Sequence, residues 1–173
     1  MIICPLCNYE NLDGVDTCEQ CESSLSEFSN HRPHSREERH ILKDRIFLLS
    51  PRRAITVSVD TTVSEVLQTL VKQNVGCVVV TEGDEVAGIF TERDVLMRIN
   101  VEAEELAHRP ISDYMTPTPQ TLEISDRIAF ALQKMDVGGY RHIPILTDGR
   151  LTGVISLRDI LKYISHHLLM VPV

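Results

Sequence analysis

The sequence lacks the features of a membrane or secreted protein. No stretch approaches the roughly 18 consecutive apolar residues that a membrane-spanning helix needs. The N-terminus has no basic region followed by a long apolar run, as a secretory signal would have. Of the 173 residues, 43% are hydrophobic, which is ordinary for a globular core. We therefore expect a cytoplasmic protein that neither crosses a membrane nor carries a secretory signal.

Basic side chains are missing from the first 30 residues, and the chain as a whole has a net charge of −8. An acidic surface repels phosphate backbones, so we expect no binding to nucleic acid. Residues 31–53 are the exception, with seven basic side chains. We interpret this short segment as a solvated helix face, with a contact patch as the alternative.

Four of the five cysteines form two C-x2-C pairs near the N-terminus, namely Cys4, Cys7, Cys18 and Cys21. Two such turns can complete a tetrahedral thiolate shell, which predicts a structural Zn²⁺. Two disulfides are one alternative, and iron in a rubredoxin-like site is the other. Residues 1–25 resemble a small zinc ribbon whose folding energy would come mostly from the metal. Because it has no basic side chain, we expect it to dock a protein partner or the rest of the chain.

The fifth cysteine, Cys77, lies in the apolar run VGCVVV and is interpreted as a core residue. With all four thiolates in place, the zinc has no open position for catalysis. The chain also lacks a nucleophile–base constellation and the P-loop pattern GxxxxGK[ST]. We therefore expect no enzymatic activity.

Residues 26–44 are interpreted as a linker and lead-in helix. Ser35-Arg36-Glu37-Glu38 could form a capping box, and the helix would run to about Phe47 before Ser50-Pro51 breaks it.

The rest of the chain repeats after 65 positions: GIFTERDVL at 88–96 returns as GVISLRDIL at 153–161. Apolar periodicity predicts a helix over 62–73 and a second at the equivalent positions of the other copy. Its apolar face comprises Val63, Val66, Leu67, Leu70 and Val71, and the second helix matches it with Ile128, Ala131, Leu132 and Met135. Apolar strands follow at 75–80 and 86–90, and at 140–145 and 151–155. Helices near 92–100 and 157–166 complete two β-α-β-β-α units.

The repeated motif places a hydroxyl and a carboxylate at a strand-to-helix turn. Thr91 and Ser156 are candidate N-caps, followed three residues later by Asp94 and Asp159. Free amides, a hydroxyl and a carboxylate suit the phosphate and ribose of a nucleotide. The alternative is that each Asp only caps its own helix. Within the strands, Gly88 and Gly153 permit close backbone approach.

Several of these motifs together resemble a tandem pair of cystathionine-β-synthase (CBS) domains, the Bateman module. The resemblance rests on the β-α-β-β-α repeat, on G-x-x-[TS]-x-x-D closing each unit, and on the segments Asp113-Tyr114-Met115-Thr116 and Arg141-His142-Ile143-Pro144-Ile145. It implies an α+β fold in which two CBS repeats, residues 45–107 and 108–168, pack as a pseudo-twofold pair behind the zinc ribbon. It also implies a homodimer.

The resemblance further implies two pseudo-symmetric nucleotide sites in the cleft between the repeats. One would use Ile55 and Val75 at the base, Ser156 and Asp159 at the sugar and phosphate, and Arg141 and His142 at phosphate, with Gly153 beside them. The other would use Gln120, Tyr140, Thr91, Asp94 and Gly88. Where the first site has Arg141 and His142, the second has the uncharged Gly76 and Cys77.

This difference in charge predicts that one adenosine nucleotide (AMP, ADP, ATP or S-adenosylmethionine) binds, principally at the Asp159 site. The corresponding function is a ligand-sensing regulatory protein. The alternative is a structural adaptor with empty CBS sites.

Overall fold

The computed structural model describes residues 2–4, 6–11, 15–25 and 43–169. The N-terminal part contains a two-stranded antiparallel sheet formed by β1 (Ile2–Ile3) and β2 (Glu10–Asn11). Buried Leu25 packs there with Cys4 and Cys18, so the small core of this part is built largely around its cysteines.

Most of the predicted lead-in helix lies outside the described residues. Lys43 is helical, but the expectation that the helix reaches Phe47 is wrong, because the chain extends at Arg45 and then forms a separate 3-10 helix, Ile46–Leu49. The reason is pairing with a distant segment. The amide of Ile46 donates to the Asp126 carbonyl, and Ile128 donates to the Asp44 carbonyl.

The first repeat forms a four-stranded sheet and two helical segments. Its strands are β4 (Thr56–Ser58), β5 (Cys77–Glu82), β6 (Glu85–Thr91) and β7 (Thr116–Pro117), in the order β4-β5-β6-β7. Helix α1 (Val63–Gln73) connects β4 to β5. Residues 77–80 of β5 are fully buried, as their continuous apolar sequence predicts.

The second repeat is built in the same way. Its sheet has the order β3-β10-β9-β8, from β3 (Arg52–Arg53), β8 (Leu122–Glu123), β9 (His142–Thr147) and β10 (Arg150–Ser156). Helix α4 (Ile128–Gly138) connects β8 to β9, and α5 (Leu157–Leu169) follows β10. The predicted alternation of strands and helices is therefore confirmed in both copies.

Each sheet takes an edge strand from the segment that begins the other repeat. Strand β3 lies at the start of the first repeat but pairs with β10, and β7 lies near the start of the second repeat but pairs with β6. The cores follow the same exchange. Ile46 and Leu49 lie in the core of the second repeat, whereas Ile111 lies in that of the first. Neither repeat is therefore complete without a segment of the other.

Helix α1 begins where its sequence provides a cap. The Thr62 hydroxyl accepts from the Glu65 amide while the Glu65 carboxylate accepts from the Thr62 amide. Val63, Val66 and Leu70 are buried as predicted. The expectation for Val71 is wrong, because its side chain is 80% exposed. It lies at the edge of the predicted apolar stripe, in the exposed last turn of the helix with Lys72 and Gln73.

The closing helices of the two repeats differ although their sequences match. Helix α5 runs without interruption, as predicted. In the first repeat α2 (Glu92–Asp94) passes into a π-helical turn, Val95–Ile99, and a 3-10 turn, Asn100–Glu102. A short helix α3 (Ala103–Leu106) follows. Across the described ranges, no helix combines the length and apolar character needed to cross a bilayer.

The exchanged segments explain both motif glycines. A Cβ atom at position 153 would lie 2.8 Å from the Arg52 carbonyl oxygen and 3.0 Å from Pro51 Cβ. A Cβ atom at position 88 would lie 2.2 Å from the Met115 sulfur. Both glycines therefore give room to the chain's own exchanged segment.

This packing predicts different costs for two matched substitutions. Gly153→Ala collides with backbone that β3 pairing holds in place, so we expect the free energy of unfolding to fall by about 1–3 kcal/mol. Gly88→Ala should cost less, because the methionine side chain that it meets can rotate. Chemical denaturation of the two variants measures the difference.

Met115→Ala provides the control for this prediction. It should show a coupling energy with Gly88→Ala but none with Gly153→Ala. Equal costs for the two alanines, or coupling of Met115 to position 153, would contradict the packing account.

Candidate functional site

The four N-terminal cysteines converge on one point. Their sulfur atoms all lie within 4.8 Å of one another. Cys4 Sγ is 3.6 Å from Cys21 Sγ, and Cys7 Sγ is 3.5 Å from Cys18 Sγ. These separations are far longer than a disulfide bond of about 2.05 Å, and all four thiols are free. The cluster could hold a metal ion.

Hydrogen-bond donors point at these sulfur atoms. The Leu6 amide donates to Cys4 Sγ at 3.4 Å, and Asn11 Nδ2 donates to Cys18 Sγ at 3.6 Å. Burial alone would raise the pKa of Cys18, but hydrogen bonds with the amides of Cys21 and Gln20 and with the side chains of Cys7 and Asn11 together lower it to about 6. Burial raises the pKa of Cys4 and of Cys7. Without a bound metal, the thiolate form that binds metals is therefore favoured at Cys18 but not at Cys4 or Cys7.

In the second repeat the strand-to-helix turn fixes the Asp159 carboxylate. Its Oδ2 atom accepts from the Ser156 amide at 2.8 Å and from the Ser156 hydroxyl at 2.6 Å. Its Oδ1 atom lies 3.4 Å from Arg52 Nη2. The Asp159 side chain is only 13% exposed, whereas that of Arg52 is 61% exposed. One oxygen is thus used in the helix cap, while the other faces the exposed guanidinium of Arg52 on the exchanged strand β3.

In the first repeat the same turn fixes Asp94. Its Oδ2 atom accepts from the Thr91 amide at 2.9 Å and the Thr91 hydroxyl at 2.7 Å, and Thr91 in turn accepts from the Asp94 amide. Its Oδ1 atom is 3.4 Å from Arg98 Nε and accepts from the Thr116 hydroxyl at 3.4 Å. Each carboxylate therefore caps its helix with Oδ2 alone, and its Oδ1 atom makes the contacts outside the cap.

The two carboxylates differ in the capacity that they have left. A carboxylate offers about four lone-pair positions. Among the described residues, Asp94 receives four contacts, from Thr91 twice, Arg98 and Thr116. Asp159 receives three, from Ser156 twice and from Arg52. The Asp159 carboxylate can accept a further donor without losing an internal bond.

His142 lies between the two repeats. A Cβ atom at Gly76 would be 3.1 Å from His142 Nε2 and 3.5 Å from Glu92 Oε2, so these three residues meet. Burial lowers the pKa of His142, and the negative charges of Glu92 and Asp159 only partly offset this. At neutral pH the ring is therefore uncharged. Among the described residues, the cationic side chain in contact with Asp159 is that of Arg52, and the exposed Arg141 directly precedes His142.

In both repeats a backbone hydrogen bond joins the start of the closing helix to the residue before the first central strand. The amide of Leu157 donates to the Arg141 carbonyl, as that of Glu92 donates to the Gly76 carbonyl at the equivalent position. Arg93 Nη1 donates to the Gly139 carbonyl at 3.4 Å. This contact links the motif of the first repeat to the residue that precedes Tyr140.

Among the described residues, those expected around the base contact the cores of the repeats or the surface, and not the motif carboxylates. Ile55 and Val75 are half-buried against the first core, and Tyr140 is half-buried against the second. Gln120 is exposed, and its Oε1 atom accepts from Lys134 Nζ at 2.7 Å. Within the described ranges, no hydrogen bond joins Ile55 or Val75 to Asp159. The residue of this segment that contacts Asp159 is Arg52, three residues before Ile55.

The sequence interpretation missed Arg52, Arg98 and Thr116 as groups that contact the motif carboxylates. Two of them carry a sequence signal. Arg98 follows Asp94 at the i, i+4 spacing of a helical ion pair. Thr116 lies in the segment that enters the second repeat. Arg52 has no local signal, because its contact depends on the exchange of β3.

Comparison with known proteins identifies the repeats. The profile of the CBS domain family matches residues 48–101 and 111–166. The mitochondrial CBS domain-containing protein CBSX3 of Arabidopsis thaliana is 30% identical over 112 residues, which are 62% of this chain and 54% of the relative. The match to a second Arabidopsis thaliana protein, CBSCBSPB1, spans only 20% of that relative. The chain thus covers about half or less of these relatives.

Solved structures share the mixed α+β architecture. The CBS-domain containing protein ATU1752 of Agrobacterium tumefaciens has a TM-score of 0.62 and 30% identity, over 68% of this chain and 94% of its own. The CBS domain protein PAE2072 of Pyrobaculum aerophilum, solved in complex with AMP, has a TM-score of 0.62 and 27% identity, over 73% and 99%. Because the family profile matches both repeats and more than half of the chain, the protein belongs to the CBS domain family.

Proposed function

We propose that the protein is a ligand-sensing regulatory module that binds one adenosine nucleotide between its CBS repeats, at Asp159. The observation that carries the proposal is that the Asp159 carboxylate is held in place and still has an acceptor position that no described residue occupies. One oxygen is fixed by Ser156, and the other is oriented by Arg52 with acceptor capacity remaining. A nearly buried carboxylate of this kind suits a vicinal diol, as in ribose recognition.

The cations near this site suit a phosphate group. Arg52 and Arg141 are both exposed, so either can leave its present position at little cost and form charge-assisted hydrogen bonds with phosphate. Next to Asp94, the equivalent of Arg141 is Gly76. A similar protein, PAE2072, is described in complex with AMP, which supports this ligand class.

The remaining predicted contacts belong to the same proposal. Ile55 and Val75 supply half-buried apolar surface for a base, and Gly153 allows β3 to lie close enough for Arg52 to reach Asp159. His142, packed on Gly76, would contribute a neutral ring. The pseudo-symmetric group, formed by Gly88, Thr91, Asp94, Gln120 and Tyr140, is the weaker site.

We also propose that the module forms a homodimer. Exposed apolar side chains recur on the helical segments of both repeats, with Val71 and Leu96 in the first and Val137 and Leu161 in the second. Leu96 and Leu161 occupy equivalent positions of the repeat. Apolar surface on both repeats is what a second copy could cover.

The N-terminal cluster is proposed to hold a structural Zn²⁺ through Cys4, Cys7, Cys18 and Cys21. Tetrahedral coordination with bonds of about 2.3 Å separates the sulfur atoms by about 3.8 Å, close to the measured 3.5 and 3.6 Å. When bound, the metal would cross-link this small core and supply its folding energy. Free thiolates require a reducing compartment, which supports a cytoplasmic location.

The alternative function is a structural adaptor with empty CBS sites that recruits a partner through the zinc ribbon. A thermal-shift screen separates the two, since a ligand stabilises only a protein that binds it. A rise in melting temperature with adenine nucleotides or S-adenosylmethionine supports the sensor, and an unchanged melting temperature across the panel supports the adaptor.

Nucleotide binding should depend far more on one carboxylate than on the other. We expect Asp159→Asn to weaken AMP binding about tenfold or more, because a hydrogen bond to a charged group is lost. Asp94→Asn should have a smaller effect. Calorimetry with AMP, ADP, ATP and S-adenosylmethionine on the wild type and both variants measures this.

The asparagine variants serve as matched controls for folding, because the side-chain amide keeps an oxygen that can accept the cap hydrogen bonds. Asp159→Ala and Asp94→Ala would remove the caps as well. Equal losses of affinity from both asparagine variants, or no loss from either, would refute the one-site proposal.

Metal analysis of the purified protein should find one zinc per chain. Cys18→Ser should release it and loosen the N-terminal part, since zinc binds thiolates and the small core depends on the metal. Cys77→Ser is the control, because that thiol is buried in β5 and should leave the zinc content unchanged. Stoichiometric iron with a visible chromophore would overturn the zinc assignment.

A further inference from the structure

We infer that Arg98 closes the Asp94 site by taking up the carboxylate that a second nucleotide would need. The inference rests on the proposed nucleotide function and names the residue that limits this chain to one ligand. Arg98 is fixed by several contacts, and the second repeat has no equivalent arginine. Removing Arg98 should leave the Asp94 carboxylate able to bind a ligand.

Arg98 is held by contacts along its whole guanidinium group. Its Nη1 atom donates to the Tyr114 carbonyl at 2.7 Å and to the Met115 carbonyl. Its Nη2 atom donates to the Thr116 hydroxyl at 3.2 Å, and its Nε atom lies 3.4 Å from Asp94 Oδ1. The planar fork of an arginine suits several fixed acceptors of this kind. Although 40% of the side chain is exposed, each of its nitrogen atoms has a partner.

Three of these partners, the Tyr114 and Met115 carbonyls and the Thr116 hydroxyl, come from the exchanged segment that forms β7. The chain from Tyr114 to Thr116 packs against the first repeat, with Met115 on Gly88 and Thr116 paired with Ile89. Arg98 lies in the π-helical turn Val95–Ile99, which has no counterpart in α5. The guanidinium thus connects this turn, the exchanged segment and the motif carboxylate.

The equivalent position in the second repeat is Tyr163, 65 residues later. Its hydroxyl donates to Asp44 rather than to Asp159. The only cation within contact distance of Asp159, among the described residues, is the exposed Arg52. An arginine on the protein surface loses little when it exchanges a carboxylate for a phosphate, whereas Arg98 would lose contacts to two carbonyls and a hydroxyl.

A nucleotide entering the first-repeat site would therefore have to displace Arg98 and leave polar groups without partners. The same closure excludes any ligand that is recognised through a vicinal diol. The asymmetry of the two sites then has two sources, the missing cation at Gly76 and the internal cation at Arg98.

The test removes Arg98 in a protein whose principal site is already disabled. In the Asp159→Asn background, adding Arg98→Ala should tighten AMP binding about tenfold or more, and adding Asp94→Asn to that double variant should abolish the gain. Calorimetry measures affinity and stoichiometry, and circular dichroism with thermal unfolding confirms folding. If the alanine variant does not fold, Arg98→Gln retains a donor for the carbonyls.

Arg93→Ala in the same background is the matched control. It removes an arginine from the same turn, whose contact is the Gly139 carbonyl rather than a carboxylate, and should produce no gain. A folded Arg98 variant that binds AMP no better than Asp159→Asn alone would overturn the inference, as would a gain that persists after Asp94→Asn.

The single Arg98→Ala variant distinguishes this inference from the proposed function. If the wild type binds no AMP but the variant shows Asp94-dependent binding, the proposed Asp159 site fails while the role of Arg98 stands. If neither binds AMP, both fail.

Discussion

The exchange of edge strands between the two repeats determines the rest of this structure. Strand β3 crosses to the second sheet and β7 to the first, so each sheet is completed by a segment from the start of the other repeat. Each exchanged segment also delivers a side chain to a motif carboxylate, with Arg52 against Asp159 and Thr116 against Asp94. Folding of the pair thus also assembles the surroundings of both motif carboxylates.

The exchange also explains why the repeated motif contains glycine. A side chain at position 153 would collide with the backbone of Arg52, and one at position 88 would collide with the Met115 side chain. Either would displace the exchanged segment. The cap that follows, Thr91 or Ser156 with its Asp, uses one carboxylate oxygen to begin a helix. In each repeat the cap therefore leaves the Oδ1 atom of the aspartate for contacts outside the cap. Its partners are Arg98 and Thr116 in the first repeat and Arg52 in the second.

Much of this was predictable from the sequence, because the repeat is in constant register and its apolar pattern is strong. The two central strands of each sheet and helix α1 follow from the apolar pattern. Strands β3 and β7 could not be found in this way, since two residues carry no periodic signal. The exposure of Val71 and the π-helical turn at Val95–Ile99 depend on tertiary packing, which local propensity does not specify.

The candidate site was predictable in its motif residues but not in their partners. The repeated spacing made Asp94 and Asp159 the candidates, and the charge difference between Gly76 and Arg141 distinguishes their surroundings. The structure adds a second difference. Arg98 and Thr116 both contact Oδ1 of Asp94, whereas Arg52 is the one described residue that contacts Oδ1 of Asp159. The central claim is that two similar motifs form one usable site. Native mass spectrometry of the full chain titrated with AMP tests it most directly. The account predicts one AMP per chain at saturation, whereas two per chain, or none, would contradict it.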